Sequence, residues 1–283
     1  MGIKRGVRKL AKLILESSPE KNVTVNVSQI NYGKILENRN IVITGGGKGI
    51  GFAIAKKCIS EGANVVITGR TEKTLKEATE KLGDSCKYVV FDISKVEEMK
   101  KFLSICEDKF AGKIDSLISN AGISLHENIY KNVTIEGFDK QFNTNLRASY
   151  FLAKEYLEYL EKNRCENGNL IFISSETGNQ CYDIPYGLTK AALNSLTRAL
   201  SRRVYKDNIR VNAIAPGVTV SDMVKDYVDI DSENMYRKCA SDRVFLPEEV
   251  AEVACFLLSD ASKCISGEII HCNAGNHLSV FWE

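Results

Sequence analysis

Tyr186 and Lys190 stand four residues apart at the start of a helical pattern, so their side chains share one face and can act on the same ligand. A tyrosine titrates near about 10 and exchanges protons poorly at neutral pH unless a positive charge stabilises its phenolate. Lys190 supplies that charge, which makes the pair a candidate acid–base for moving a proton on or off an oxygen. A second group of residues suits phosphate. Thr44-Gly45-Gly46-Gly47-Lys48-Gly49-Ile50-Gly51 closes a β-branched run and opens a helical one. Glycines at such a junction let backbone N–H groups approach a pyrophosphate at the helix N-terminus, as in dinucleotide-binding proteins. Arg70 ends the next strand pattern, where an acid would bond a ribose 2′-hydroxyl and a cation would accept a 2′-phosphate. Thr68-Gly69-Arg70-Thr71 holds no Asp or Glu, and Lys48 is a second cation in reach, so the pattern predicts NADP(H).

These residues need a scaffold that ends several strands side by side. Short β-branched runs at 41–44, 64–68, 87–91, 116–119, 169–174, 210–214 and 268–271 alternate with helical patterns at 50–60, 72–82, 96–110, 138–162, 186–205 and 247–258. The alternation predicts an α/β fold: a doubly wound, parallel, seven-stranded Rossmann sheet with helices on both faces, forming a single domain over 40–283. Residues 1–39 precede the pattern as an extension. There Ile3, Val7, Leu10, Ala11 and Ile14 recur at helical spacing among Lys4, Arg5, Arg8, Lys9 and Lys12, which predicts a basic amphipathic helix. Such a helix packs on its own domain or a neighbouring subunit, the reading favoured here, or lies on an anionic membrane surface. Residues 23–27 alternate like a strand whose place in the fold the sequence does not give.

Bulk properties narrow the partners. The 283 residues are 44% hydrophobic with a formal net charge of +2, enough for an ordinary core and too balanced to argue for nucleic acid. Nine scattered cysteines, with no Cys-x-x-Cys pair, read as reduced thiols, and the three histidines show no ligand spacing with them, so no metal is expected. No run approaches the roughly 18 to 20 apolar residues of a membrane span, and the N-terminus lacks a signal-peptide core, so a cytoplasmic protein is expected.

The spacing TGxxxGxG, unlike GxGxxG, resembles the short-chain dehydrogenase/reductase family, and the resemblance continues in order along the chain. Phe91-Asp92-Ile93 looks like the family's adenine-contacting segment, and Ser119-Asn120-Ala121-Gly122 stands where the family usually has NNAG. Pro216-Gly217-Val218-Thr219-Val220-Ser221 is similar to the PGxxxT segment that cradles the nicotinamide end. Ser175 follows the fifth strand like the family's catalytic serine. It is preferred to Ser174 because Gly178 completes an SxxG pattern, although it lies eleven positions before Tyr186 where the family more often has thirteen. Phe142-Asn143-Thr144-Asn145-Leu146 resembles the segment bearing the catalytic asparagine. The resemblance implies that Tyr186 is the general acid in reduction, Ser175 bonds the substrate carbonyl, Lys190 tunes Tyr186 and binds the nicotinamide ribose, and Asn145 holds a proton-relay water. It likewise implies a nucleotide site of Gly45, Gly47, Lys48, Gly49, Ile50, Gly51, Arg70, Asp92, Ile93, Asn120, Ala121, Gly122, Tyr186, Lys190, Pro216, Gly217, Thr219 and Ser221. A homodimer or homotetramer is expected by the same resemblance.

Glu176, Asn179, Gln180, Tyr182 and Asp183 fill the shortened loop, and a charged stretch over 222–243 reads as a lid. Both favour a small polar or sugar-like substrate whose carbonyl and secondary alcohol forms are interconverted by hydride transfer. A 3-oxoacyl-(acyl-carrier-protein) reductase is the alternative, with Arg198, Arg202 and Arg203 as a patch for an acidic carrier protein. An alternative of another class is a non-catalytic NADP-binding scaffold or partner subunit, which presence of both Tyr186 and Lys190 disfavours.

Overall fold

A computed structural model describes residues 23–24, 32–110, 112–165, 167–221, 223, 235–237 and 239–278. The expected basic helix and most of the expected lid lie outside the described residues. Seven strands form one parallel sheet: β1 Asn40–Thr44, β2 Asn64–Gly69, β3 Cys86–Val90, β4 Ser116–Ser119, β5 Asn169–Ile173, β6 Arg210–Pro216 and β7 Ile269–Cys272. Their spatial order is β3-β2-β1-β4-β5-β6-β7, so the chain winds one way from β1 to β3 and the other way from β4 onward. The seven-stranded, doubly wound sheet predicted from the alternation is the sheet observed.

Burial on both faces explains why the strands read as apolar runs rather than alternating ones. In β1, Ile41 and Ile43 face one side while Val42 faces the other, and all three are fully buried. Ile41 and Ile43 pack with Ile54 and Cys58 of α1 (Gly49–Ser60), Leu75 of α2 (Glu72–Leu82) and Ala254 and Leu258 of α7 (Pro247–Leu258). Val42 packs with Phe102 of α3 (Met99–Glu107), Leu152 and Tyr156 of α5 (Ala148–Asn163) and Leu193 of α6 (Pro185–Val204). The short α4 (Ile135–Gln141) precedes α5.

Two elements depart from the sequence reading. The helix expected over 138–162 starts earlier, at Ile135, because the Thr134 hydroxyl accepts the Gly137 N–H at 3.0 Å as an N-cap. It is also interrupted by a wide π turn over Phe142–Arg147. Residues 96–110 form a 3₁₀ turn, Val96–Glu98, followed by α3, which is shorter than the apolar pattern suggests. Strand and helix ends otherwise move by one or two residues.

The packed body begins ahead of β1. Leu36 is fully buried against the α1 side of the core, and its N–H bonds Glu61 O at 3.0 Å. Glu61, 1% exposed, accepts the N–H groups of Tyr32 and Lys34 at 3.1 and 3.2 Å. Its counter-charge is Lys57, 6% exposed, whose ammonium lies 3.0 Å from Glu61 and 3.2 Å from Glu252 of α7. One buried lysine therefore bridges two carboxylates, one just past the end of α1 and one on α7. Lys57→Met would leave both without it, and removing one member of a buried ion pair costs about 3–5 kcal/mol. Urea unfolding should show a loss of that order, and a loss under about 1 kcal/mol, the usual worth of an exposed pair, would contradict this placement.

Candidate active site

All seven strands point their carboxyl ends to one edge, and the winding reverses between β1 and β4, which leaves a crevice there. A cleft of about 990 Å³ opens along this edge. Its lining runs from Arg70 and Asp92 at one end, past the glycine loop, to Ser175, Tyr186 and Lys190 at the other.

The glycine loop is fixed by its neighbour strand. Thr44 Oγ1 accepts the N–H groups of Asn120 and Ala121, both at 3.0 Å, and the Asn120 amide donates to Thr44 O at 2.8 Å and Gly45 O at 3.1 Å. Gly45 has φ +66°, a left-handed conformation open to glycine. At Gly51 a Cβ would fall 2.5 Å from Gly45 O and 2.6 Å from Asn120 Nδ2, so the turn closes only around a bare backbone. Gly47, Lys48, Gly49 and Ile50 line the cleft from this turn. Gly51 and Asn120 act by closing and bracing the loop. Pro216, Gly217, Thr219 and Ser221 line the opposite wall, with Ser221 Cβ 3.5 Å from where a Gly49 Cβ would stand. Ala121, Gly122 and Ile93 also line the cleft.

At the far end Asp92 accepts the Ser94 N–H at 3.0 Å and the Ser94 hydroxyl at 2.8 Å. Burial would raise its carboxyl, but those two bonds and the charges of Arg70 and Lys95 hold it below the usual range. Ser94 was not singled out in the sequence, although Asp-x-Ser is the pattern of a side chain closing its own turn.

The chemical end hangs from β5 and the first turn of α6. Pro185 occupies the first position of α6, where its missing N–H costs nothing, and sets Tyr186 and Lys190 on the turn that faces the cleft. The two adjacent serines separate cleanly. Ser174 turns into the protein and donates to Asn194 Oδ1 at 2.6 Å, whereas the Ser175 hydroxyl accepts the Thr177 N–H at 3.3 Å and lies near enough to Tyr186 to lower its hydroxyl. Lys190, 4% exposed, donates to Ile173 O at 2.7 Å, with its ammonium 5.5 Å from the Tyr186 ring centre. Burial pulls the Lys190 ammonium down to about 8, and burial pushes the Tyr186 hydroxyl up against the lowering effect of Ser175. In the protein alone, desolvation therefore outweighs the help that Lys190 was expected to give Tyr186. Asn145 is 1% exposed on the π turn, and its amide pairs both ways with Ile123: Oδ1 accepts the N–H and Nδ2 donates to the carbonyl, each at 2.8 Å.

Several cleft residues carried no sequence signal as site residues. His126, at φ +57°, reaches across the cleft to Met223 O at 2.9 Å, and Arg237 joins the lining from the second wall. Asn194 positions Ser174 from two turns beyond Tyr186, where a polar residue on a helix looks unremarkable in sequence.

A family model described as enoyl-(acyl carrier protein) reductase matches residues 45–277. A 3-oxoacyl-(acyl-carrier-protein) reductase of Rickettsia felis is 34% identical over 242 residues, which cover 85% of this chain and 97% of that protein. The chain belongs to the short-chain dehydrogenase/reductase family. Among solved structures of this family, a 3-ketoacyl-(acyl-carrier-protein) reductase from Brucella melitensis complexed with NADH superposes with a TM-score of 0.79 at 26% identity, over 86% of this chain and 100% of that one. ElxO with NADP bound superposes with a TM-score of 0.75 at 27% identity, over 84% and 98%. Like its family, the protein is an oxidoreductase acting on CH–OH and C=O groups. The glycine loop, closed on itself at Gly45 and Gly51, and the cleft it lines fit a dinucleotide of the kind these two structures hold. Among the described residues no helix is long and apolar enough to cross a membrane.

The depressed Lys190 carries a consequence for stability. Its folded value is about 8 against 10.5 for the ordinary side chain. The fold therefore bears a penalty for the charged form, complete below pH 8 and gone by the ordinary lysine range. At about 1.4 kcal/mol per unit that penalty is roughly 3 kcal/mol, offset by about 1 kcal/mol for the bond to Ile173 O. Lys190→Met should thus be more stable than the native protein at pH 7, by about 2 kcal/mol, with the gap closing as pH rises toward about 10. Equal or lower stability at pH 7 in urea unfolding would contradict this account of the buried ammonium.

Proposed function

We propose that the protein is an NADP(H)-dependent enzyme that interconverts a carbonyl and a secondary alcohol on a small polar substrate, with Tyr186 as its acid–base. The observation that carries this reading is the meeting of Ser175, Tyr186 and Lys190 at one end of the cleft, with the Lys190 ammonium 5.5 Å from the Tyr186 ring centre. A bound nicotinamide would supply the hydride for the carbonyl carbon. Ser175 donates a hydrogen bond to the carbonyl oxygen, and Tyr186 delivers its hydroxyl proton to that oxygen as it becomes an alkoxide. Tyr186 is left as phenolate, which the Lys190 charge stabilises until a proton returns from solvent. Asn145, with one acceptor position of Oδ1 beyond its bond to Ile123, holds the water of that return path. In the oxidation direction the same atoms run in reverse.

Arg70 supports the choice of NADP(H). It follows β2 directly, lines the cleft and lies near enough to Asp92 to lower its carboxyl, at the end where a ribose 2′-phosphate would sit. Lys48 lines the same stretch. The polar residues Glu176, Tyr182 and Arg237 beside Ser175 support a polar substrate. Exposed Tyr150 on α5 and Leu188 on α6 support a homo-oligomer formed through those helices.

Reduction of a 3-oxoacyl thioester is the second reading, favoured by the relatives of that activity. The arginines that would greet a carrier protein speak against it. Arg202 lies sixteen residues beyond Tyr186 on α6, about 24 Å along the axis and away from the cleft end of the helix.

Nucleotide titration and steady-state assays test the assignment. Arg70→Asp should weaken NADPH binding by about 10- to 100-fold, the worth of a charge-assisted bond to phosphate, with little loss for NADH. Tyr186→Phe should lower kcat by about 10²–10⁴-fold while nucleotide binding persists. Equal affinity for both nucleotides in the native protein, or full activity in Tyr186→Phe, would overturn the corresponding half of the proposal.

A further inference from the structure

Glu176 follows Ser175 directly and opens the 3₁₀ turn Glu176–Asn179 that the Ser175 hydroxyl caps through the Thr177 N–H at 3.3 Å. Its side chain is 8% exposed, yet among the described residues it receives one hydrogen bond, from Asn273 Nδ2 to Oε2 at 3.2 Å. An ionised carboxylate can accept about four. Among the described residues no donor meets Oε1, and Glu176 lines the cleft. Burial raises the carboxyl, while Arg237 and His277 pull it down. Arg237 lines the same cleft, and its charge is felt at Glu176, but the two do not meet as an ion pair among the described residues. A buried acceptor and a cationic donor thus stand apart, beside the Ser175 and Tyr186 hydroxyls that hold the reacting oxygen. Glu176 is the residue directly after Ser175 and lines the same end of the cleft, so a group it bonds lies near the carbon that bears the reacting oxygen.

We propose that Glu176 and Arg237 form a specificity subsite for a neutral hydroxyl on a carbon next to the reacting carbonyl, so that the substrate class is α-hydroxy ketones and vicinal diols. The inference rests on the reading of Ser175 and Tyr186 given above. A hydroxyl can donate to Glu176 Oε1 and accept from Arg237 at once, and it fills the gap without bringing charge. An ammonium in that place would satisfy Glu176 but face Arg237 and His277, and a methyl would leave Glu176 with its single donor. Sites that hydrogen-bond a substrate hydroxyl discriminate against the analogue lacking it far more strongly than apolar pockets separate isosteres.

Three near-isosteric substrates separate these cases: 2-hydroxycyclohexanone, 2-methylcyclohexanone and 2-aminocyclohexanone, reduced with NADPH. The native enzyme should favour the hydroxy ketone over the methyl ketone by at least about 30-fold in kcat/KM, with the amino ketone no better than the methyl. Glu176→Leu should bring the hydroxy and methyl ketones within about threefold of each other while methyl-ketone reduction survives. Glu176→Gln, which keeps shape and one acceptor but loses the charge, should fall between and guards against a Leu variant that does not fold. The proposal is overturned if the native preference is absent, if it persists in Glu176→Leu and Glu176→Gln, or if a protein that binds NADPH reduces none of the three. Failure to bind NADPH, or unchanged turnover in Tyr186→Phe, would instead sink the reading beneath it.

Discussion

A parallel sheet ends all its strands at one edge, and here the glycine loop, Arg70, Ser175, Tyr186 and Lys190 gather along that edge. The constraint is local and is enforced by a few bonds. Thr44 and Asn120 lock the end of β1 to the end of β4, which holds the glycine loop in a shape that tolerates no Cβ at Gly51. Lys190 is pinned to the last carbonyl of β5, and Ser174, one residue on, bonds Ile214 O of β6 through its N–H at 2.7 Å. The glycine loop depends on the ends of β1 and β4, and Ser175, Tyr186 and Lys190 on the ends of β5 and β6, so loosening either pair would shift one group relative to the other.

Burial decides the electrostatics of the chemical end. Tyr186 is pushed up and Lys190 pulled down, both away from the ionised pair that proton transfer needs. The two shifts have one cause: each charged form is unfavourable where few dipoles replace water. A positive charge arriving in the cleft acts on both groups in opposite senses. It stabilises a Tyr186 phenolate and further disfavours the Lys190 ammonium, so acid–base competence is conditional on what fills the cleft.

Much of this was legible in the sequence because it rests on local patterns. The sheet followed from β-branched runs spaced by helical ones, and the glycine loop, Arg70, Tyr186 and Lys190 were placed by the strand or helix each one ends or begins. What sequence could not give depends on partners distant in the chain. Ser174 and Ser175 differ because Asn194, twenty residues away, claims Ser174, a distinction no neighbour in sequence encodes. The π turn that buries Asn145 against Ile123 interrupts an apolar pattern that continues through it unbroken. Glu176 stood in the sequence among five polar loop residues that favour a polar substrate, but its burial beside Asn273 and its place in one cleft with Arg237 depend on segments distant in the chain.

Conditional acidity of Tyr186 is the central claim, and an ultraviolet titration tests it most directly. Phenolate absorbance would be followed from pH 7 to 10 with and without saturating NADP⁺, using Tyr186→Phe to subtract the other tyrosines. The account predicts that Tyr186 stays protonated across this range in the protein alone and that NADP⁺ brings out a phenolate signal missing from the variant. A Tyr186 that ionises near neutrality without nucleotide, or one that NADP⁺ leaves unmoved, would contradict it.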